Sequence, residues 1–263
     1  MKVFDANTHI EKEPLSIRVK ELDKWGGSAD EGPITHYATV QDILSGLSKH
    51  GIGGALVMAN TVSPDKEDAK AASETVALAI RGYPNLYGAA CVHPYSNTAV
   101  YDLEEAVESG LSALMLCPDR QGFELDDEAL WMLLERVEEM GIPVVLHTQW
   151  ARDTETYLDV ETLFDVGSSF HVDFLLTHMG CGRDISPVSK LSDLDNIYFE
   201  TSHTAPKNIV RAIELFGPDR IVFGSDFFCN LYPKHELEAI LNLDINSSDK
   251  ERILGRNLEG LLK

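Results

Sequence analysis

Eight short apolar runs at similar intervals are the feature that most constrains how this chain folds. They are continuous rather than alternating, which is typical of strands buried on both faces of a parallel sheet. They end near residues 7, 59, 91, 117, 147, 178, 201 and 225, so that after a first gap of 52 residues they follow one another every 23 to 32 residues. This spacing predicts eight repeated strand and helix units. The runs read KVFDAN, GGALVMAN, LYGAACVHP, SALMLCP, GIPVVLHTQ, VDFLLTHMG, NIYFETS and DRIVFGSD.

Helical patterns fill the intervals between the runs. The clearest is DDEALWMLLERVEEMG, where apolar side chains recur at three- and four-residue steps and so share one helix face. We expect Asp126 or Asp127 to cap the start of this helix and Gly141 to end it. Its apolar residues are Ala129, Leu130, Leu133, Leu134, Val137 and Met140.

Eight such units in 263 residues match the length of a closed (β/α)8 barrel. An open doubly wound sheet is the competing fold, but it usually has fewer strands and needs a glycine-rich phosphate loop after the first one, whereas DANTHIEKEP has no glycine. We therefore expect an α/β fold, a TIM barrel with an extended loop after the first strand, and a single domain over residues 1–263. The extended loop, about residues 11–35 with its GGS and EGP breakers, is expected to lie over the barrel mouth.

Charge and apolar content exclude several classes of partner. The chain has 22 basic and 43 acidic residues, a net charge of −21, which would repel nucleic acid and anionic membrane surfaces. No apolar run approaches the roughly 20 residues that span a bilayer, and MKVFDANTH lacks the apolar core of a signal peptide, so we expect a cytoplasmic protein. The four cysteines contain no CxxC pair, so they are expected to be reduced thiols.

Polar residues gather where the predicted strands end. In a TIM barrel these ends form one rim, and functional side chains lie there. Residues two apart on a strand point the same way, so Asn7 and His9 are expected to face the barrel axis together. The residues at the strand ends are Asn7, His9, His93, His147, His178, His203 and Asp226.

Imidazole nitrogens with a carboxylate oxygen are the donors of a catalytic Zn²⁺ site, in which a bound water becomes a nucleophile. We expect His9, His147 and Asp226 to be ligands, and His178 to be a further ligand or the base that takes the water's proton. The structural alternative for a histidine is a hydrogen bond to the backbone, which we favour for His93 and His203. For Asp226 the structural alternative is a helix N-cap.

The segments IPVVLHTQ, FLLTHMGCG, RIVFGSDFF and ILGRNLEGLL, with the stretch from LMLCPDRQ to VVLHTQ, resemble the amidohydrolase superfamily. The resemblance is to the amidohydrolase-2 branch of aminocarboxymuconate-semialdehyde decarboxylase and related metal-dependent TIM-barrel hydrolases. It implies one metal ion held by His9, His147 and Asp226, with His178 as acid/base. Asn7 departs from the family, which usually has a histidine there. The side-chain amide oxygen of Asn7 would be the metal ligand at this position, and an amide oxygen ligates a metal only weakly.

The family's strand-four lysine is also absent, because the corresponding segment reads Met115, Leu116 and Cys117. A bridged two-metal centre is therefore not expected. Cys181 and Cys229 follow His178 and Asp226 by three residues, and a thiolate near the site would favour zinc, although packing is the commoner role of a free cysteine.

Taken together, the residues and the resemblance predict a metal-dependent hydrolase that acts on an ester, lactone or amide bond of a small polar molecule. A metal-activated water attacks the carbonyl, and Asp226 and His178 share the proton transfer. Arg152, Arg183 and Trp150 are candidates to hold a substrate carboxylate or ring. The expected cofactor is one divalent cation, zinc ahead of manganese or iron. The oligomeric state is left open, although the proteins that the chain resembles often pair as homodimers.

Two alternatives remain open at this stage. The same site could carry out non-oxidative decarboxylation of a small carboxylic acid, because the metal can bind a carboxylate and an adjacent oxygen. Alternatively, the barrel has lost its metal through Asn7 and only binds a ligand. Release of CO2 distinguishes decarboxylation from hydrolysis. Metal content distinguishes a barrel that only binds a ligand from the metal-dependent enzymes.

Overall fold

A computed structural model describes residues 2–10, 15–17, 34–36, 39–59, 65–148, 159–180, 185–227 and 233–262. The strands in these ranges are β1 Phe4–Ile10, β2 Leu15–Ile17, β3 Ile34–His36, β4 Gly54–Ala59, β5 Leu86–Cys91, β6 Ala113–Leu116, β7 Val144–Leu146, β8 Phe174–Leu176, β9 Ile197–Glu200 and β10 Ile221–Val222.

Helices follow most strands. The α-helices are α1 Val40–Lys49, α2 Lys66–Ile80, α3 Ala99–Glu108, α4 Pro118–Gln121, α5 Glu128–Met140, α6 Val160–Ser169, α7 Pro206–Phe216, α8 Pro233–Leu241, α9 Ser247–Glu251 and α10 Asn257–Leu261. Short 3-10 segments cover Thr177–Gly180, Pro187–Asp193 and Pro218–Arg220, and a π-helical turn covers Arg252–Arg256.

Eight parallel strands form one sheet in the order β1-β4-β5-β6-β7-β8-β9-β10. The two edge strands meet through backbone hydrogen bonds, from Ala6 N to Phe223 O at 2.9 Å and from Phe227 N to Asn7 O at 3.2 Å. The sheet is therefore a nearly closed (β/α)8 barrel, and the fold expected from the spacing of the apolar runs is confirmed.

Alternate residues of each strand face two apolar layers. In β4, Leu56 and Met58 belong to a cluster inside the barrel, whereas Ala55 and Val57 pack in the layer between the strands and the helices. Burial on both faces explains why the strand sequences read as continuous apolar runs. The helix α5 behaves as its pattern predicts, since its leucines at 130, 133 and 134 are buried and it runs from Asp127 as N-cap to Gly141 as C-cap.

The strand β1 is longer than predicted and carries an irregularity. It was expected to end near residue 7, but pairing with β4 continues to Ile10. The register shifts between Asp5 and Thr8, which inserts one extra residue on β1 opposite β4. Such a bulge re-aims side chains, and here it lies beside Asn7.

The region expected as a loop over the mouth is only partly described. Within it, β2 and β3 pair as antiparallel strands, with Leu15 opposite His36. The rest of residues 11–35 lies outside the described residues. In the ranges that are described, no helix combines the length and the apolar character needed to cross a membrane.

The start of β4 gives a test of the packing. A Cβ on Gly54 would overlap the ring of Phe4 and the backbone oxygen of Asn85. We expect Gly54→Ala to lower the free energy of unfolding by about 1–3 kcal/mol, because neither neighbour can move without disturbing β1. Gly260→Ala in α10 is the control, since a Cβ there meets nothing within 4 Å and alanine should stabilise the helix by about 0.5–1 kcal/mol. Urea denaturation measures both, and equal stabilities of Gly54→Ala and the wild type would contradict the packing.

Candidate active site

The carboxylate of Asp226 lies between two imidazoles at the C-terminal end of the barrel. Its Oδ1 is 2.9 Å from His9 Nε2, and its Oδ2 is 2.8 Å from His203 Nε2. His9 is on β1, His203 follows β9, and Asp226 follows β10, so three strand ends contribute. Both Asp226 and His9 are buried. A buried carboxylate needs such partners because desolvation of its charge is costly.

The hydrogen bonds of Asp226 and His203 determine the charges of these two side chains. Burial by itself would raise the pKa of Asp226, but the hydrogen bonds with His203 and His9 hold that pKa well below the usual range. Burial likewise opposes the charged form of His203, but its bond to Asp226 raises the pKa of this imidazole above its ordinary value. The two side chains therefore favour a carboxylate and imidazolium pair.

A second buried carboxylate, that of Asp5 on β1, binds the residue that precedes Asp226. Its Oδ1 accepts from Ser225 N at 2.9 Å and Asn7 N at 3.1 Å, and its Oδ2 accepts from Ser225 Oγ at 2.5 Å. Burial raises the pKa of Asp5 to about 7 despite these bonds. Because Ser225 precedes Asp226, the contact fixes the turn that carries the Asp226 carboxylate.

Backbone strain is concentrated at the same rim. In the described ranges, the residues other than glycine with positive φ are His178, Met179, His203 and Asp226, with φ between 53° and 56°. All four follow the ends of β8, β9 or β10. Left-handed backbone costs roughly 1–2 kcal/mol for such residues, so packing around the rim must hold these conformations in place.

Glu200, at the end of β9, is fully buried and organises three neighbours. Its Oε2 accepts from Asn7 Nδ2 at 3.1 Å, from the His178 backbone N at 3.1 Å and from Ser202 Oγ at 2.7 Å. Gly224 leaves the room that this carboxylate needs, because a Cβ there would overlap Glu200. One side chain therefore links the ends of β1, β8 and β9.

The hydrogen bonds around Glu200 determine which side-chain atoms of His178 and Asn7 are left to bind another group. Ser202 has one hydroxyl hydrogen, and it is donated to Glu200, so Ser202 Oγ must accept from His178 Nδ1 at 2.8 Å. The lone pair of His178 is then on Nε2. The amide of Asn7 donates through Nδ2 to Glu200, an acceptor, and its Oδ1 is left for another partner.

The neighbouring imidazoles of His147 and His178 are neutral. Their rings lie edge to face with centroids 5.4 Å apart. Burial lowers the pKa of His147 to about 3 and that of His178 to about 4. Above those values each ring has a lone pair, which is the form that binds a metal or accepts a proton.

The donor types at this rim are those that bind a divalent cation. Within the described part of the chain, three buried atoms of residues predicted as ligands have no hydrogen-bond partner, namely Asn7 Oδ1, His9 Nδ1 and His147 Nδ1. Buried polar atoms are rarely left unpaired. Imidazole nitrogens, an amide oxygen and a carboxylate are the ligand types of Zn²⁺ and similar ions, so the residues present are suited to such an ion.

The structure brings the predicted metal and acid/base residues to one rim. Asn7, His9 and Asp226 lie at the closing seam, and His178 contacts His147 beside it. The three predicted substrate-binding residues, Trp150, Arg152 and Arg183, lie outside the described residues, as do Cys181 and Cys229. His93, for which a structural role was favoured, accepts a hydrogen bond from the backbone N of Tyr95 at 3.2 Å.

Several residues that contact the predicted site residues were given no functional role from the sequence. His203, for which a structural role was also favoured, contacts Asp226 directly, and Asp5, Glu200 and Ser202 received no role. A signal was present for Glu200, since an acidic residue closing the apolar run NIYFE needs a partner as much as Asp226 does. Nothing in the local pattern identified Ser202.

Known structures share this fold over the whole chain. An uncharacterised TIM-barrel protein from Bordetella bronchiseptica is 20% identical with a TM-score of 0.77, covering 100% of this chain and 98% of that chain. A dihydroxybenzoic acid decarboxylase from Polaromonas sp. JS666, with bound manganese and the inhibitor 2-nitroresorcinol, is 16% identical with a TM-score of 0.75. The match covers 99% of this chain and 96% of the decarboxylase. A probable 2-pyrone-4,6-dicarboxylic acid hydrolase from Acinetobacter baumannii, with citric acid bound, is 18% identical with a TM-score of 0.70. The match covers 100% of this chain and 99% of the hydrolase.

Similarity at these identities establishes the barrel but not the reaction. No curated protein matches the sequence. A family model described as amidohydrolase matches residues 5–262, which includes every strand of the barrel from Asp5 onward. Because that match spans almost the entire chain, this protein belongs to the amidohydrolase family.

Proposed function

We propose that this protein is a metal-dependent hydrolase that cleaves an ester, lactone or amide bond of a small polar substrate. The observation that supports this most is the Asp226 carboxylate, which is buried between His9 and His203. In the described ranges, Asn7 Oδ1, His9 Nδ1 and His147 Nδ1 have no hydrogen-bond partner. The charged carboxylate of Asp226, paired with His203, and the neutral imidazoles of His147 and His178 on the same rim provide the groups that a proton transfer needs.

His9, His147 and Asp226 would hold the cation, with Asn7 contributing its free Oδ1. When bound, the ion would polarise the substrate carbonyl and supply an activated water. Members of the family are typically metal-dependent, and the Polaromonas decarboxylase contains manganese. The imidazole and carboxylate donors favour zinc, with manganese or iron as alternatives.

The proton transfers fall to Asp226 and His178. Asp226 is the stronger candidate for general base, because its carboxylate is charged and its Oδ2 is kept in position by His203. His178 is neutral, and its Nε2 lone pair is available because Ser202 occupies Nδ1. His178 can therefore accept a proton from Asp226 or from the reacting group and deliver it to the leaving group.

Substrate recognition is assigned to residues that follow the same strands. In the sequence, Trp150 and Arg152 come shortly after β7 and Arg183 comes shortly after β8. Segments that follow the strands of a TIM barrel commonly carry its substrate-binding residues. A guanidinium suits a substrate carboxylate because its planar donors pair with two oxygens.

Non-oxidative decarboxylation is the second candidate. The dihydroxybenzoic acid decarboxylase from Polaromonas covers the same barrel from end to end, and a protonated Asp226 or His178 could supply the proton that replaces the carboxylate. Assays on a panel of esters, lactones, amides and hydroxybenzoic acids separate the two reactions, because only decarboxylation releases CO2.

Replacement of the central carboxylate tests the proposal. We expect Asp226→Asn to lower kcat/KM on any substrate the panel identifies by about 10²–10⁴-fold, the usual contribution of a positioned acid or base. Metal content, measured by elemental analysis after purification without chelator, should fall in the same variant. Asp219→Asn makes the same chemical change at a side chain that is 71% exposed, and it should leave both quantities unchanged.

Full activity and full metal content in Asp226→Asn would refute the assignment of Asp226. A wild-type protein that takes up no cation even after reloading would instead support a barrel that only binds a ligand.

Ser202→Ala tests the role of the Glu200 network. Without the hydroxyl, His178 Nδ1 loses its acceptor and the Nε2 lone pair is no longer enforced, so we expect kcat to fall by about 10–100-fold, as for other residues that orient a functional histidine. Metal content should stay unchanged, because Ser202 is not among the proposed ligands. Ser168→Ala, an exposed helix position, is the matched control.

The ¹⁵N chemical shifts of the His178 ring report its tautomer directly. They should show hydrogen on Nδ1 in the wild type and a mixed population in Ser202→Ala. An unchanged tautomer with reduced kcat would contradict the positioning role.

A further inference from the structure

Two buried threonines connect the ends of β7 and β8. Thr148 comes one residue after His147, and Thr177 comes one residue before His178. The backbone N of Thr148 donates to Thr177 Oγ1 at 3.0 Å, and Thr148 Oγ1 donates to the backbone O of Thr177. We call this reciprocal pair the threonine clamp. Both side chains are buried, and neither has a role in the proposed function.

The threonine clamp takes over where the sheet ladder between β7 and β8 ends. In that ladder, Val144 N donates to Asp173 O at 2.8 Å. Successive bonds of a parallel ladder follow every second residue, so the same pattern would carry Thr148 N to the backbone O of Thr177. Each of these two groups instead bonds the side-chain oxygen of the other threonine. Two bonds through side chains therefore stand in the place of one direct bond.

On the β8 side, the clamp holds the peptide group that carries His178. The carbonyl of this peptide group, on Thr177, accepts from Thr148 Oγ1, and its N–H, on His178, donates to Glu200 Oε2 at 3.1 Å. Both polar atoms of the peptide group are thus fixed. His178 itself has a φ of 54°, a left-handed conformation that persists only where surrounding contacts hold it. The clamp supplies one of the two contacts at this peptide group.

On the β7 side, the clamp fixes the backbone that carries His147. The N–H of His147 donates to Leu116 O at 2.8 Å, and the next N–H along the chain, that of Thr148, donates to Thr177. The rings of His147 and His178 lie edge to face with centroids 5.4 Å apart. Because the clamp joins the residue after one histidine to the residue before the other, it connects directly the two backbones that carry these rings.

We propose that Thr148 is a positioning residue, which acts through Thr177 to set where the His178 ring stands relative to His147. The consequence for the reaction rests on the proposed function, in which His147 holds the cation and His178 transfers a proton. A group that transfers a proton must lie within hydrogen-bond reach of the reacting atom, and misplacement by about 1 Å can cost about 10²-fold in rate. Thr148 has this effect without touching the substrate, because its hydroxyl hydrogen is donated to Thr177.

Nuclear magnetic resonance of the metal-free, full-length protein tests the geometry without any reaction. Thr148→Val keeps the shape of the side chain but removes the hydroxyl that donates to Thr177. We expect the nuclear Overhauser effect between the rings of His147 and His178 to be lost in this variant and kept in Thr148→Ser. Thr75→Val is the matched control, because it removes a hydroxyl that donates to a backbone O, that of Ala71 at 2.8 Å, in α2. It should keep the effect.

Kinetics of the metal-loaded enzyme test the consequence for the reaction. On a substrate that the panel identifies, we expect Thr148→Val to lower kcat by about 10–100-fold, as for other residues that orient a functional histidine. KM should stay unchanged, because no substrate-binding group is altered. Thr148→Ser should restore kcat, and Thr75→Val should match the wild type. A purely structural role would instead reduce the yield of folded protein and leave kcat per folded molecule unchanged.

Thr177→Val keeps the proposal testable if Thr148→Val does not fold. It removes the other bond of the clamp, the one donated by Thr148 N, and it should abolish the same ring-to-ring effect.

A ring-to-ring effect that survives in the valine variants would overturn the proposal whatever the reaction is. Loss of the effect with kcat unchanged would overturn the positioning role. The proposed function fails separately, since a wild type without activity on the panel would contradict it while the resonance experiment still decides whether the clamp sets the ring positions.

Discussion

The closing seam of the barrel, where β1 meets residues 221–227, determines the rest of the site. Backbone bonds from Ala6 N to Phe223 O and from Phe227 N to Asn7 O join the first and last strands. The carboxylate of Asp5 reinforces the seam through Ser225. Asp226 reaches His9 only because these bonds align the two chain segments, which are more than 200 residues apart in sequence.

The seam concentrates buried charge that a merely stable barrel would not need. Asp5, Glu200 and Asp226 are all buried within a few residues of strand ends. Burial raises the pKa of Asp5 to about 7, which shows how costly its charge is there. Replacing buried ionic groups by apolar ones is often neutral or stabilising, so three such carboxylates beside strained backbone are better explained by function than by stability.

The network also gives Asn7 a definite role. A histidine, the usual residue of the family here, would offer a more basic donor, whereas Asn7 uses its Nδ2 to bond Glu200 and Ser202. The amide thereby ties β1 to β9 and still leaves Oδ1 free.

Local pattern predicted the fold well because each strand is buried on both faces and each helix on one. The apolar runs marked all eight barrel strands, and the largest errors were at the ends of β1 and β10. The strand β1 continues to Ile10, since the bonds that extend it come from β4 and from Phe227, whereas β10 ends at Val222 and not near residue 225. Barrel geometry then placed His9, His147, His178 and Asp226 on one rim. The hydrogen bonds of His203, Glu200 and Ser202 were not predictable, because they depend on which side chains face each other across the barrel and not on spacing along the chain.

Zinc-edge anomalous diffraction from crystals grown with Zn²⁺ tests the central claim most directly. The account predicts an anomalous peak at the seam, about 2.0–2.2 Å from nitrogens of His9 and His147 and from an oxygen of Asp226. A map with no peak there, in which Asp226 still bridges His9 and His203, would contradict it.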